Sequence, residues 1–385
     1  MNSFIFENTT KVYFGKGSVN EYLGCLLDHY GDTVMLAYGG GSIKRNGVYD
    51  EVMGILSAKG KRVVKFGGIM PNPTYRKVQE GAKLARENDV ELILAVGGGS
   101  VSDCCKVISA QAKCNEDIWE MQYAKHIYPS EFLPLGTIVT VFGTGSEMNN
   151  GAVITHEEKR IKGALRGAQA EFAFLDPTYT LSVPMKQVIS GAFDTLSHTM
   201  ETYFGKPDEN NLSDDMNEAI MRSVIRNIRI VLTDPENYDA RSELAWASAM
   251  AESGVLKVGK VTDFQGHMIE HQVGAYTNCN HGAGLAVIQP VLYRHIYKSG
   301  ATRFARWARN VWGIAPKGND EEIAAAGIEA LAAFIKEIGL PTSFAELGIP
   351  ADTDFRAIAD STNVTAGCCK KLTSDEIYEI LCECR

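Results

Sequence analysis

The sequence predicts an α/β N-terminal domain over residues 1–183 followed by an all-α C-terminal domain over residues 184–385. Three observations point there. At 385 residues the chain exceeds the length at which a single core stops growing, about 250 to 300 residues, so two domains are expected. Through residue 175, strand-sized apolar runs alternate with amphipathic stretches, the βαβ pattern of a parallel sheet covered by helices. From Met185 onward apolar residues recur only at helical spacing.

Residues 3–14 predict an extra strand or hairpin, ended by Gly15-Lys16-Gly17. Residues 33–38, 62–66, 91–96, 136–141 and 170–175 are short, mostly apolar runs closed by Gly, Pro or Asp, as buried parallel strands are. Residues 73–88 and 100–113 read as the amphipathic helices between them. Beyond Pro184, residues 185–200, 216–232, 240–256, 285–297 and 323–338 carry helical periodicity. No tandem repeat or low-complexity tract interrupts the chain.

Lys and Arg number 38 against 47 Asp and Glu, a net charge of -9 that argues against a nucleic-acid or anionic-membrane partner. The apolar runs fall far short of the ~20 residues that span a bilayer. The first ten residues lack a basic stretch leading into an apolar one, so a cytoplasmic protein is expected. Nine cysteines, with Cys104-Cys105 and Cys368-Cys369 adjacent, suit neither routine disulfides nor a Cys-x-x-Cys site and predict reduced thiols. Cys382-x-Cys384 is expected to be helical packing.

Two sets of residues carry chemistry. In the first, Gly97-Gly98-Gly99-Ser100 joins a strand to a helix start, where side-chain-free residues let an anion approach backbone N–H groups at the positive end of the helix dipole. Gly39-Gly40-Gly41-Ser42 and Gly143-Thr144-Gly145-Ser146 also follow strands, and the three together predict a dinucleotide along the carboxyl ends of the sheet. Neither a Gly-x-Gly-x-x-Gly fingerprint nor a P-loop is present. In the second set, Asp194 and His198 stand four residues apart on one helix face, His267 and His271 repeat the spacing, and His281 follows a Gly- and Asn-containing break. A carboxylate with imidazoles suits Fe(II) or Zn(II). His267-Met268-Ile269-Glu270-His271 also matches the His-x-x-Glu-His metallopeptidase signature, which leaves the glycine turns unexplained.

Gly97 to Asp103, Gly143 to Glu147, Asp194-x-x-x-His198, and His267-x-x-x-His271 followed by His281-Gly282 together resemble the iron-containing (group III) alcohol dehydrogenases, in particular their butanol dehydrogenase-like, aldehyde-reducing branch. The resemblance runs from Val12-Tyr13-Phe14-Gly15 to the helical end. It implies a dehydroquinate synthase-like fold, a nucleotide domain and a helical domain with the site in the cleft between them. It implies Asp194, His198, His267 and His281 as metal ligands and puts His271 near the nicotinamide. A homodimer is expected on the same ground and from residues 3–14, an edge that needs a pairing partner.

The expected activity is an NAD(P)-dependent interconversion of primary, butanol-like alcohols and aldehydes, with Asp194, His267 and His271 as catalytic residues and His271 relaying a proton. Candidate cofactor contacts are Gly39, Gly40, Gly41, Ser42, Asn72, Gly97, Gly98, Gly99, Ser100, Asp103, Thr140, Phe142, Thr144, Ser146 and Lys162. Phe142 stands where many members of the family carry a small residue, and narrows the expected nicotinamide pocket. The turn from Gly39 to Arg45 has no carboxylate to meet a ribose 2′-hydroxyl, while Ser42, Lys44 and Arg45 suit a 2′-phosphate, so NADP(H) is expected over NAD(H). The competing expectation is a metal- and nucleotide-dependent lyase on the same fold. In the dehydrogenase reading Glu270 is only a helix residue, so Glu270→Gln would be mild there and lethal in a peptidase.

Overall fold

The computed structural model describes residues 2–207, 211–364 and 369–385. The chain divides into two compact units, Glu7–Pro184 and Met185–Arg385, the second also taking Met1–Phe6. Cys368 lies outside the described residues.

The first unit is built on a parallel sheet. Its strands are β1 (Lys11–Phe14), β2 (Thr33–Tyr38), β3 (Arg62–Phe66), β4 (Leu92–Gly97), β5 (Leu135–Val139) and, after a separate two-stranded antiparallel pair β6 (Gly151–His156) and β7 (Ile161–Arg166), β8 (Phe172–Leu175). The sheet order is β1-β8-β5-β4-β2-β3, every pairing parallel. Strands β2, β4, β5 and β8 are buried along their whole length, as unbroken apolar runs require when both faces are covered. Gly136 pairs in register with Phe172, whose ring occupies the space a β-carbon on Gly136 would fill.

The chain leaves β2 toward β3 on one side and β4 toward β5 on the other, so the order in which strands are added reverses between β2 and β4 while every strand stays parallel. Tyr38 faces Val96 across that pair, which sets the turns at Gly39 and Gly97 side by side at the crevice where open α/β sheets bind ligands.

Two expectations are corrected here. Of the strand expected over residues 3–14 only Lys11–Phe14 is extended and paired; no hairpin forms, because Asn8 and Thr10 bond instead to the carbonyls of Met148 (2.8 Å) and Ala170 (2.7 Å). The β6–β7 hairpin is additional. Its turn, Glu157-Glu158-Lys159-Arg160, contains no Gly or Asn, and Arg160 adopts the left-handed backbone (φ 51°) that usually betrays such a turn through its composition.

The second unit is helical. Its long helices are Met185–Tyr203, Leu212–Thr233, Tyr238–Glu252, Gln265–Thr277, His281–Ile296, Ala301–Trp312 and Asp320–Glu337, with Ser374–Glu383 at the end. Met185–Tyr203 is buried on every face from Phe193 onward and packs with Phe204, Phe304, Trp307 and Phe334 in one core. Ala301–Trp312 is a further helix, its buried face formed by Phe304, Ala305, Trp307, Ala308 and Val311, with Arg303 also turned inward, its guanidinium 2.7 Å from buried Asp214. His281–Ile296 starts four residues ahead of its apolar run because the Asn280 side chain accepts the backbone N–H of Ala283 and caps it there. That cap sets His281 at the first position of the helix. No described helix is long and apolar enough to cross a membrane.

Candidate functional site

In the helical unit, Asp194 and His198 share one face of Met185–Tyr203, His267 sits near the start of Gln265–Thr277, and His281 opens the next helix. Their side chains converge. Asp194 Oδ1 lies 3.5 Å from His267 Nε2, 3.5 Å from His281 Nε2 and 3.7 Å from His198 Nδ1. Asp194, His198 and His267 are buried, and Asp194 Oδ1, His198 Nδ1 and His267 Nε2 reach no hydrogen-bond partner among the described residues. Orphaned polar atoms in an apolar core are costly, and three pointed at one place are explained by a cation between them. Among the described residues, Asp194, His267 and His281 each offer a donor atom within 4.8 Å of the others, with His198 alongside, its ring stacked 4.5 Å from His267. One carboxylate oxygen and imidazole nitrogens fit a borderline divalent ion.

Burial alone pushes the Asp194 carboxyl up, but the imidazoles of His198, His281 and His267 outweigh it and hold it at about 2. Burial opposes a charged His267 ring, yet Glu201 and Asp194 outweigh it and carry its pKa up to about 10. His198, whose burial is less compensated, is lowered.

Two further carboxylates, Glu201 and Glu270, stand behind these rings. Glu201 accepts the backbone N–H of Gly266 (2.5 Å) and of His267 (3.1 Å) and bonds His267 Nδ1. Buried Glu270 bonds His281 Nδ1 and lies 3.6 Å from the Cys279 thiol. Glu201 was detectable, since 194, 198 and 201 fall on one helical face. For Glu270 the expectation is overturned: it is not a passive helix residue but the partner of a proposed ligand, so Glu270→Gln does not separate a dehydrogenase from a peptidase. The peptidase reading itself fails, because Glu270 is fully buried against His281 rather than open to water. His271 flanks the set, half-buried, its ring stacked 5.4 Å from His281 and edge-on to His267 at 6.1 Å.

In the α/β unit the three glycine segments cluster at the carboxyl ends of β2, β4 and β5. A β-carbon on Gly99 would meet Thr144 Oγ1 at 2.2 Å and one on Gly98 would meet Val141 at 3.2 Å, so the second turn and the third loop are in contact. Thr140 donates its N–H to Gly97 O at 2.9 Å. Ser100 lies in the first turn of the helix Gly99–Lys113, which is long enough for an effective dipole. Asp103 faces inward, accepting Ser146 Oγ (2.5 Å) and the N–H of Val153 (2.8 Å), with buried Lys106 3.9 Å away and Lys162 adding positive charge. Lys106, also missed, donates to Asn149 Oδ1 (2.9 Å) and Gly151 O (2.7 Å), pinning the far side of the loop. Asp103 and Ser146 therefore brace one another. Gly40 and Ser42 are exposed, Phe142 is half-buried, and Asn72 takes a left-handed backbone (φ 52°) after β3. Lys44 Nζ lies over the rings of Tyr38 (5.1 Å) and Tyr49 (5.0 Å).

The sequence model for "Iron-containing alcohol dehydrogenase" matches residues 9–177, and that for the "Fe-containing alcohol dehydrogenase family, C-terminal" matches residues 188–384. The chain belongs to the iron-containing alcohol dehydrogenase family. Within the family it is 36% identical to NADH-dependent butanol dehydrogenase B of Clostridium acetobutylicum, over 99% of this chain and 98% of that one. It is also 36% identical to the NADPH-dependent aldehyde reductase YqhD of Escherichia coli, over 91% and 90% of the two chains. The crystal structure of NADH-dependent butanol dehydrogenase A from Thermotoga maritima superposes with a TM-score of 0.94 at 33% identity, covering 100% of this chain and 99% of that one. The parallel-sheet and helical units are thus the fold of this family, and the protein is an oxidoreductase.

Glu147, beside Asp103 and Lys106, is buried, and burial raises its carboxyl to about 7. A raised acid favours the folded state while protonated, so its contribution is full below about 4.5 and is lost as pH rises toward 7. Glu147→Gln should therefore be less stable relative to the parent at pH 4 than at pH 8. Thermal unfolding of both at the two pH values measures this; an equal difference at both would show that Glu147 does not titrate in that window.

Proposed function

We propose that the protein interconverts primary, butanol-like alcohols and their aldehydes with a nicotinamide cofactor, and that Asp194, His198, His267 and His281 hold the divalent ion, Fe(II) or Zn(II). The observation that carries this is the convergence of unpartnered Asp194, His267 and His198 atoms, with His281, in a member of this family. When bound, the metal polarises the substrate oxygen and the nicotinamide exchanges the hydride. The chain supplies the rest. Asp194 brings one negative charge, which leaves net positive charge to balance an oxyanion. His271, half-buried beside His281, passes the proton between substrate oxygen and solvent. The glycine turns and the loop braced by Asp103 and Lys106 take the dinucleotide phosphates, with Asn72, Thr140, Phe142 and Lys162 around them. A cytoplasmic location accords with eight described cysteines that are all free.

His198→Ala and His267→Ala should each lose the metal and the activity while binding cofactor as the parent does. Metal analysis with a cofactor titration decides, and stoichiometric metal in both variants would refute the ligand set.

NADP(H) is the preferred cofactor. The relatives include NADH- and NADPH-dependent enzymes, so the preference rests on the turn itself. It holds no carboxylate, and Arg45 reaches back to it, its Nη1 2.9 Å from the place of a β-carbon on Gly41. Gly41 has φ -85°, open to any residue, so Gly41→Asp fits the backbone and sets a carboxylate against a 2′-phosphate. One charge-assisted contact is worth about 1.5 to 3 kcal/mol, so the ratio of kcat/KM for NADPH over NADH should drop about ten- to a hundredfold. A parent that favours NADH, or an unchanged ratio in the variant, rules the assignment out.

The enzyme is a homodimer in this reading. Strand β1 is an outer strand of the sheet, and Phe14 within it and Tyr22 on the following helix are exposed. Light scattering at micromolar concentration should give twice the chain mass; a monomer would remove the proposal.

A further inference from the structure

Glu201 and Glu270 are among the most deeply buried acids of the helical unit, at 2% and 0% exposure, and neither is a member of the proposed ligand set. Each bonds the Nδ1 atom of one ligand histidine, Glu201 that of His267 and Glu270 that of His281. Glu201 also accepts two backbone N–H groups at the start of the helix Gln265–Thr277, where the dipole favours a negative charge. An ionised carboxylate only accepts, so the proton in each bond belongs to the imidazole nitrogen. With Nδ1 carrying the proton, the lone pair of a neutral ring sits on Nε2, and in both histidines Nε2 is the atom 3.5 Å from Asp194 Oδ1. Lone pairs that face a carboxylate oxygen repel it unless a cation lies between.

We propose that Glu201 and Glu270 are positioning residues that hold His267 and His281 as Nδ1–H tautomers with Nε2 turned to the metal, and that their charge strengthens its binding. The inference rests on the ligand assignment above. The two glutamates come from different helices, Met185–Tyr203 and Gln265–Thr277, and each bonds a histidine outside its own helix. The metal-binding orientation of both rings is therefore set by contacts between helices rather than within one. A glutamine at either place keeps the size but loses the charge, and its amide can instead donate to Nδ1 and move the ring proton to Nε2, where it blocks the metal.

The test is Zn(II) affinity of metal-stripped Glu201→Gln and Glu270→Gln, measured by competition with a chromophoric chelator, together with 15N spectra of histidine-labelled protein and a titration with reduced cofactor. Zn(II) should bind about ten to a hundred times more weakly in each variant. The parent should show protonated Nδ1 at two rings, and the variants a redistribution toward Nε2, with cofactor affinity unchanged. Should Glu201→Gln fail to fold, having lost its hold on the helix start, Glu270→Gln decides alone. Zn(II) bound within threefold of the parent, with unaltered ring signals, would overturn the proposal. If His267→Ala loses Zn(II) while the glutamine variants keep it, only this inference falls; if His267→Ala keeps Zn(II), the ligand assignment falls with it.

Discussion

The helical unit is organised around a carboxylate taken out of water. Asp194 sits on a helix buried on nearly every face, where an ionised group survives only if positive or donating groups are brought to it. One of those groups, His198, comes from its own helix, but His267 and His281 come from elsewhere in the chain and must be delivered accurately. The unusual starts of two helices follow from that demand. Phe264 adopts a left-handed backbone (φ 59°) immediately ahead of Gln265–Thr277, and Asn280 begins its helix at His281, not at the apolar run four residues later. Local irregularity at the points where the histidines enter is what a preorganised site requires of its scaffold.

The α/β unit meets a different constraint, the close approach of backbone to backbone at the ends of β2, β4 and β5. Gly97, Gly98 and Gly99 leave room for Val101, Val141 and Thr144, and larger residues would drive the third loop away from the second turn. Burying Asp103 and Lys106 beneath that loop gives it hydrogen-bonded supports from inside, so its shape does not depend on solvent. A half-satisfied version of the same cluster would cost more than an apolar one.

Most of the architecture was legible because the signals were local. Residues 33–38 and 62–66 were bounded correctly from apolar runs alone, and the change from β-containing to helical sequence near Pro184 was visible in the loss of strand-length runs. The pairing of Asp194 with His198 followed from helical geometry. What stayed hidden depends on partners distant in sequence. Glu201 shares a helical face with Asp194 and His198, but its role waits on His267; Glu270 reads as an ordinary helix residue until His281 is folded against it; and the burial of Arg303 depends on Asp214, 89 positions earlier. Lys106 reads as the polar face of a helix, yet it is fully buried. The β6–β7 hairpin escaped for the opposite reason: its turn uses Arg where composition would have advertised Gly or Asn.

The sheet's outermost pairing carries a consequence for how the protein is made. β1 precedes the other strands of the sheet in the chain, but among the described residues its neighbour in the sheet is β8, about 160 residues later, so the entropy of closing that loop is lost only after the rest of the sheet exists. Synthesis in order therefore leaves β1 without β8 until about 160 further residues have been added, and the strand docks on a surface already built. The segment before it has a longer wait: Asn2 bonds to Gly259, so the chain's first residues find their place only when the helical unit is well under way. Residue 2 and strand β1 are thus made before the segments that order them.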